Sequence, residues 1–244
     1  MEKYEWFKDW FASDYYQIVY KHRDNKDAQK LLELVINKLK IEKSCYILDA
    51  DCGTGKHLIY LKEKGFYNLY GFDLSFPLLK LALQKGLVNS IVNADIRTVP
   101  FKIKFDLILN IFTSFGYFED DCNNFLFFKN YKNSLKQKGI IVFDYFNSNY
   151  VCNNLVLESD TKIDDITINE KRTIENNRVI KKINIGNNLN NLVFFESVKL
   201  YKPEFLSQKF EEIGLKIIGE FGNYNGDSFD KSCSERIILF LENE

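Results

Sequence analysis

The sequence has almost no surplus of charge: 33 basic and 34 acidic residues leave a net charge of −1 over 244 residues. The positive excess that marks a binder of nucleic acid or of an anionic membrane is missing, so neither partner is expected. No apolar run approaches the roughly 18 residues that a membrane-spanning helix needs. The stretch Met1-Glu2-Lys3-Tyr4-Glu5-Trp6 is acidic and aromatic, which predicts no signal peptide. The five cysteines (Cys45, Cys52, Cys122, Cys152, Cys233) are odd in number, scattered and never spaced Cys-x-x-Cys. That pattern supports neither a disulfide framework nor a zinc site, and reduced thiols in a cytoplasmic protein are the expectation. What the chain does have is 45% hydrophobic and 16% aromatic residues, enough for a packed core.

The most informative stretch is Tyr46-Ile47-Leu48-Asp49-Ala50-Asp51-Cys52-Gly53-Thr54-Gly55-Lys56. A short apolar run reads as a buried parallel strand, and the periodic His57-Leu58-Ile59-Tyr60-Leu61 reads as a helix. Strand, glycine loop and helix bring backbone N–H groups and a positive helix end up to a ligand. A phosphate-gripping P-loop is excluded, because Ala50 stands where its first glycine belongs and His57 where its hydroxyl belongs. A dinucleotide fingerprint needs a further glycine where Leu58 sits. The order acid-x-x-x-Gly-x-Gly suits S-adenosylmethionine: Asp49 can sit near the cationic methionine end, while Gly53 and Gly55 let backbone approach the ligand.

Along the chain, residues 4–40 read as helical, with apolar stripes at Trp6, Phe7, Trp10, Phe11 and at Leu31, Leu32, Val35, Ile36, Leu39. Strand patterns follow at 69–73, 91–95, 105–110 and 140–147, separated by helical patterns at 57–64, 78–85 and 123–135. Period-two alternation over 165–170, 178–185 and 192–200 then predicts three antiparallel strands, with Asn176-Asn177 as a hairpin turn. A one-faced sheet must cover something, and the expectation is a lid over the active site or a homodimer surface. A helix over 203–213, closed by Gly214, precedes a terminal hairpin of 215–221 and 236–241.

Four segments resemble, in order, the motifs of class I S-adenosylmethionine-dependent methyltransferases: Asp49 to Gly55; Gly71-Phe72-Asp73-Leu74-Ser75; Asn93-Ala94-Asp95-Ile96-Arg97; and the turn Leu135-Lys136-Gln137-Lys138-Gly139. Phe221-Gly222-Asn223-Tyr224 followed by Ser234-Glu235-Arg236 resembles a bacterial small-molecule subgroup of undefined substrate. The resemblance covers about residues 15–242. It implies an α/β, Rossmann-like, doubly wound sheet of seven mostly parallel strands with a C-terminal antiparallel hairpin. One domain, 1–244, would divide into a helical cap (1–40), a cofactor-binding core (41–150), inserted antiparallel strands (155–201) and a C-terminal helix and hairpin (202–244).

The resemblance also implies S-adenosyl-L-methionine as cofactor. Asp49, Ala50, Asp51, Gly53 and Gly55 would form its glycine turn, Asp73 with Leu74 its ribose site, and Asp95 with Ile96 its adenine site. Asn110, Ile111 and Phe112 would face it from the fourth strand, and Tyr16 and Arg23 from the cap, Arg23 being suited to the cofactor carboxylate. His22, Tyr117 and Asp144 are the candidate catalytic bases. Asp51 departs from the motif, whose residue there is usually Gly or Ala; its carboxylate either meets the ligand's ammonium or crowds the pocket. The segment after Asn110 lacks the Asn/Asp-Pro-Pro-Tyr/Phe signature of nucleobase amino-methylation. Thr113, Ser114, Phe115 and Tyr117 instead suggest a wall for a small-molecule acceptor, methylated at O, N or S. The rival readings are a non-catalytic cofactor-binding protein with this fold and, less well matched, a dehydrogenase.

Overall fold

The computed structural model describes residues 5–20, 25–87, 91–186 and 191–243. The chain opens with helices α1 (Trp6–Ala12), α2 (Asp14–Val19) and α3 (Asn25–Leu39). It then alternates β1 (Tyr46–Ala50), α4 (Lys56–Glu63), β2 (Asn68–Asp73), α5 (Phe76–Gln84), β3 (Ile91–Asn93), β4 (Phe105–Asn110), α6 (Asp121–Lys132) and β5 (Leu135–Phe146). After α7 (Ser148–Asn154) come β6 (Glu158–Ile163), β7 (Ile166–Glu175), β8 (Arg178–Gly186) and β9 (Asn191–Lys199), then α8 (Pro203–Ile213), β10 (Leu215–Phe221) and β11 (Arg236–Asn243). Local chemistry sets several boundaries. The Ser13 hydroxyl accepts the Tyr15 N–H and the Asp120 carboxylate accepts the Asn123 N–H, two side-chain caps for orphan helix donors. Gly214 ends α8 in the left-handed region. Asn176 and Asn177 both take positive φ, as a type I′ hairpin requires.

Seven strands form one sheet in the order β3-β2-β1-β4-β5-β11-β10. The pairs β1–β2, β2–β3, β1–β4 and β4–β5 are parallel, and β11 runs antiparallel to both β5 and β10. Apolar residues line both faces, which is why these strands read as near-continuous hydrophobic runs. Leu48, Ile108 and Phe143 pack with Phe128, Tyr131 and Phe210; Ile47, Leu107 and Val142 pack with Leu31, Leu58 and Leu79. Strand order reverses at β1, so the crevice between the carboxyl ends of β1 and β4 is the switch point where doubly wound sheets bind ligands.

The second sheet differs from expectation in two respects. It has four strands, β6-β7-β8-β9, rather than three. The extra one, β6, is the polar run Glu158-Ser159-Asp160-Thr161-Lys162-Ile163, held by pairing with β7 at an edge, so it has no apolar alternation to reveal it. Its apolar face also does not close directly over the switch point. Ile168, Ile183 and Ile185 pack on Trp6, Phe7, Trp10 and Val19 of α1 and α2, and the Phe194 ring lies 4.8 Å from Trp10. The cap helices are therefore an intermediate layer. They reach the larger sheet through Phe11, whose carbonyl accepts the Ser75 hydroxyl at 2.7 Å, and through Tyr117, whose ring lies 5.0 Å from Trp6.

One buried cation ties the layers together. Arg178, at the start of β8, donates to the carbonyls of Gly116, Tyr117, Phe118 and Ser197 and to the Ser197 hydroxyl at 2.7–3.1 Å. Removing it strands several acceptors away from water. Arg178→Met is expected to lower unfolding stability by about 3 kcal/mol, read as a shifted urea midpoint. Arg178→Lys should recover less than half, because an ammonium has three donors where the guanidinium has five.

Candidate active site

The β1–α4 turn is built on left-handed backbone at Asp51 (φ 62°), Gly53 (φ 53°) and Gly55 (φ 71°). The two glycines serve different ends. A Cβ on Gly53 would meet nothing closer than 3.9 Å, so that position stays open. A Cβ on Gly55 would lie 2.3 Å from the Leu87 side chain and 3.2 Å from Ala82; its absence is required by packing against α5 and the residues that follow it, rather than by approach to a ligand as expected. Gly71 on β2 is likewise forced, since a Cβ there would meet Leu58 at 2.8 Å and Cys52 at 2.9 Å. The turn is stitched to β2 by Cys52 N–H donating to the Phe72 carbonyl at 2.9 Å.

Asp73 completes that stitching. One of its oxygens accepts the Gly53 N–H and the other the Ser75 N–H, both at 2.7 Å. Burial pushes its carboxyl up, the two N–H donors pull it down and the nearby Asp49 pushes it up again, leaving it at about 6. Asp51 is raised well above the carboxylate range, by burial first and then by Asp73, Asp49 and Asp95. Asp49 is buried at the end of β1, its Oδ2 lies 3.1 Å from His57 Nδ1, and its Oδ1 has no partner. His57 stacks on Phe112 at 5.4 Å, and its Nε2 is buried without a partner. Asp95 is held by Arg97 through the backbone N–H and the guanidinium. Burial raises the Asp95 carboxyl and the Arg97 bonds outweigh it, so the net shift is downward. Arg97 also pairs with Glu5 at 3.2 Å and lies over the Phe118 ring.

At the exit of β4, Phe112 (φ 57°) and Thr113 (φ 65°) are consecutive left-handed non-glycine residues. Each costs about 1–2 kcal/mol, and Asp144 holds them. Its Oδ2 accepts the Phe112 N–H at 2.8 Å and the Tyr224 hydroxyl at 3.2 Å, and its backbone carbonyl accepts the Thr113 N–H at 3.0 Å. The Arg236 guanidinium takes Oδ1 at 2.8 Å and also donates to the Thr113 hydroxyl. This corrects the assignment of Asp144 as a catalytic base: a fully buried carboxylate spent on a cation and two neutral donors is a structural clamp.

The remaining candidates sort by place. Ala50 and Ile111 are buried at the ends of β1 and β4, and Asn110 is buried with its amide donating to the Ser114 carbonyl and its Oδ1 unpartnered. Leu74 and Tyr117 pack with the cap cluster. Tyr16 lies 5.0 Å from Phe11 and 5.6 Å from Trp10 in the same cluster. Ile96 packs against the core beside Val99 and Phe101. His22 and Arg23 lie outside the described residues. Three participants escaped the sequence reading. His57 had one available signal, a polar residue on the otherwise apolar face of Leu58 and Leu61. Arg97 stands in a motif whose signal is Asp95, and the Asp144–Arg236 pair joins residues 92 apart in the chain. Among the described residues, no group of His, Cys, Asp and Glu is arranged to hold a metal, and no helix is long and apolar enough to cross a membrane.

The raised Asp73 carboxyl fixes a pH dependence. A folded-state value of about 6, above the ordinary 3.8, means stabilisation that is fully present below about pH 4 and lost as pH rises through about 6. Over that window the ligand-free protein should lose about 3 kcal/mol from this group. Urea midpoints at half-unit pH steps should show the fall, and Asp73→Asn should lessen it, the likewise raised Asp51 carboxyl keeping the remainder.

The family model described as "Methyltransferase domain" matches residues 47–139. Among curated proteins, the putative methyltransferase YqeM of Bacillus subtilis (strain 168) is 35% identical over 106 residues, 42% of this chain and 42% of that protein. Among solved structures, an S-adenosylmethionine-dependent methyltransferase from Clostridium acetobutylicum ATCC 824 superposes with TM-score 0.78 at 24% identity, covering 96% of this chain and 98% of the other. The sugar N-methyltransferase KedS8 from Streptoalloteichus sp ATCC 53650 superposes with TM-score 0.73 at 17% identity, covering 94% and 93%. Sheet order and these superpositions show that the chain has the fold of S-adenosylmethionine-dependent methyltransferases, and the family model matches it from β1 to the start of β5.

Proposed function

We propose that this protein binds S-adenosylmethionine across the carboxyl ends of β1, β2 and β4 and methylates a nitrogen of a small-molecule amine. The observation that carries the reading is the Asp73 carboxylate, fixed at the end of β2 by the N–H groups of Gly53 and Ser75. Each of its oxygens keeps a lone pair beyond those two bonds, which suits a vicinal ribose diol. The unpartnered Asp49 Oδ1 is a buried acceptor awaiting a donor, and the ligand's ammonium would supply one. Gly53 leaves room for backbone approach, and Asp95, Ile96 and Leu74 would flank the nucleoside. When bound, the cofactor supplies an electrophilic methyl on a sulfonium; the C–S bond breaks as the acceptor bond forms, and a neutral thioether is left.

The chain's own part is placement and exclusion of water. The left-handed Phe112–Thr113 segment, clamped by Asp144 and Arg236, presents the β4 exit rigidly, which favours in-line alignment of donor and acceptor. The aromatic cap of Trp6, Phe7, Phe11 and Tyr16 packs around Tyr117 and restricts solvent. Nitrogen is favoured over oxygen because it asks less of the protein, the more so with Asp144 committed to its clamp. A neutral amine attacks through its own lone pair and sheds its proton afterwards, whereas a hydroxyl needs a base in the transition state. Amino sugars head the acceptor screen, given that KedS8 is described as a sugar N-methyltransferase.

Calorimetric titration with S-adenosylmethionine tests the reading directly. The native protein should bind, and Asp73→Ala should weaken binding at least about 30-fold, the worth of one or two hydrogen bonds to a charged group, with an unaltered circular dichroism spectrum. Unchanged affinity in that variant would remove the ribose assignment. Mass-spectrometric detection of a 14 Da gain on an amine tests turnover.

A further inference from the structure

Four carboxylates stand around the glycine turn, and they are unequally served. Asp95 has Arg97, Asp49 has His57, and Asp73 has two backbone N–H groups. No described residue hydrogen-bonds or ion-pairs with the Asp51 carboxylate, which is half-buried at the turn. Both its backbone and its charge are unfavourable where they are. A non-glycine residue at φ 62° costs about 1–2 kcal/mol, and Asp73, Asp49 and Asp95 all oppose its ionisation. Glycine at this position would relieve both. Close by, Asp49 Oδ1 and His57 Nε2 are buried without partners, so the turn has unused polar capacity of the kind a cationic ligand satisfies.

Resting on the proposed cofactor site, we infer that Asp51 makes that site discriminate by charge, favouring the cationic methyl donor over the neutral thioether product. The two ligands share every group except the transferred methyl. S-adenosylmethionine carries sulfonium, ammonium and carboxylate, a net charge of one positive; S-adenosylhomocysteine carries the latter two alone, a net of zero. A neutral residue at position 51 cannot read that difference. A carboxylate can read it without contact: at an effective dielectric of about 20, opposite charges roughly 12 Å apart already favour association about tenfold. The consequence is a site that releases its spent product readily, relieving product inhibition.

The same carboxylate predicts a proton signature. In the ligand-free site, burial and three acidic neighbours push the Asp51 carboxyl above its ordinary range; the charged and titratable groups around it are Asp49, Asp73 and Asp95 with their partners His57 and Arg97. A bound cation favours the ionised form, so the donor should expel a proton that the product leaves in place.

The experiment is calorimetric titration of the native protein, Asp51→Asn and Asp51→Gly with each ligand, at several pH values from about 5 to 8, in two buffers of different ionisation enthalpy. In the native protein the donor should bind at least as tightly as the product, with net proton release. Both variants should shift the affinity ratio toward the product about tenfold and lose most of that release. Asn removes charge at nearly constant shape, and Gly also relieves the backbone, so agreement between them isolates the charge. Binding of both ligands with a ratio unmoved in either variant overturns the inference and leaves the cofactor site standing. Binding of neither ligand to the native protein overturns the cofactor site itself, and the inference with it.

Discussion

The bond on which the site depends runs from the Gly53 N–H to the Asp73 carboxylate at 2.7 Å. It joins the first glycine turn to the end of the neighbouring parallel strand, so two segments 20 residues apart become one surface. The bond forms because Cys52 and Leu58 close against Gly71, where a side chain would be excluded, and because Gly55 tolerates both a left-handed backbone and contact with Leu87. Packing behind the turn thus sets what the turn offers in front. Burying a carboxylate in this way costs stability as soon as it ionises, a cost of the kind that gathers at functional sites.

The β4 exit is arranged on the same terms. Phe112 and Thr113 adopt conformations that glycine would take freely, and the cost is met by the buried pair of Asp144 and Arg236 with help from Tyr224. Arg236 lies at the start of the last strand and Tyr224 in the loop before it. The antiparallel hairpin that completes the sheet therefore also fixes the segment beside the switch point. His57, stacked on Phe112 and paired with Asp49, links this second clamp to the first.

Above both lies a laminate rather than a simple lid. The inserted sheet buries its isoleucines against α1 and α2, and those helices in turn bury Trp6 and Phe7 against Tyr117 and Phe118. Arg178 reaches from the inserted sheet and grips the carbonyls of residues 116–118. Its guanidinium satisfies those backbone carbonyls, so the 116–118 segment and the insertion are mechanically coupled.

Much of this was readable beforehand, for reasons that differ by element. The parallel strands, the hairpin at Asn176-Asn177 and the cap of α8 at Gly214 follow from local pattern and backbone chemistry, which sequence carries directly. Asp49, Asp73 and Asp95 are legible because a strand end followed by a fixed turn places an acid at the sheet's edge whatever surrounds it. The strand β6 was not legible, since an edge strand stabilised by pairing needs no apolar alternation. Nor was the commitment of Asp144: its position on β5 is local information, but the cation that neutralises it comes from 92 residues away. Sequence by itself determined the order of the parallel strands and the terminal hairpin, the glycine turn and the acids at the strand ends. Only the tertiary structure decided which acids are paired, which glycine is demanded by packing and what the inserted sheet covers, because those outcomes depend on side chains that meet only when distant segments close on one another.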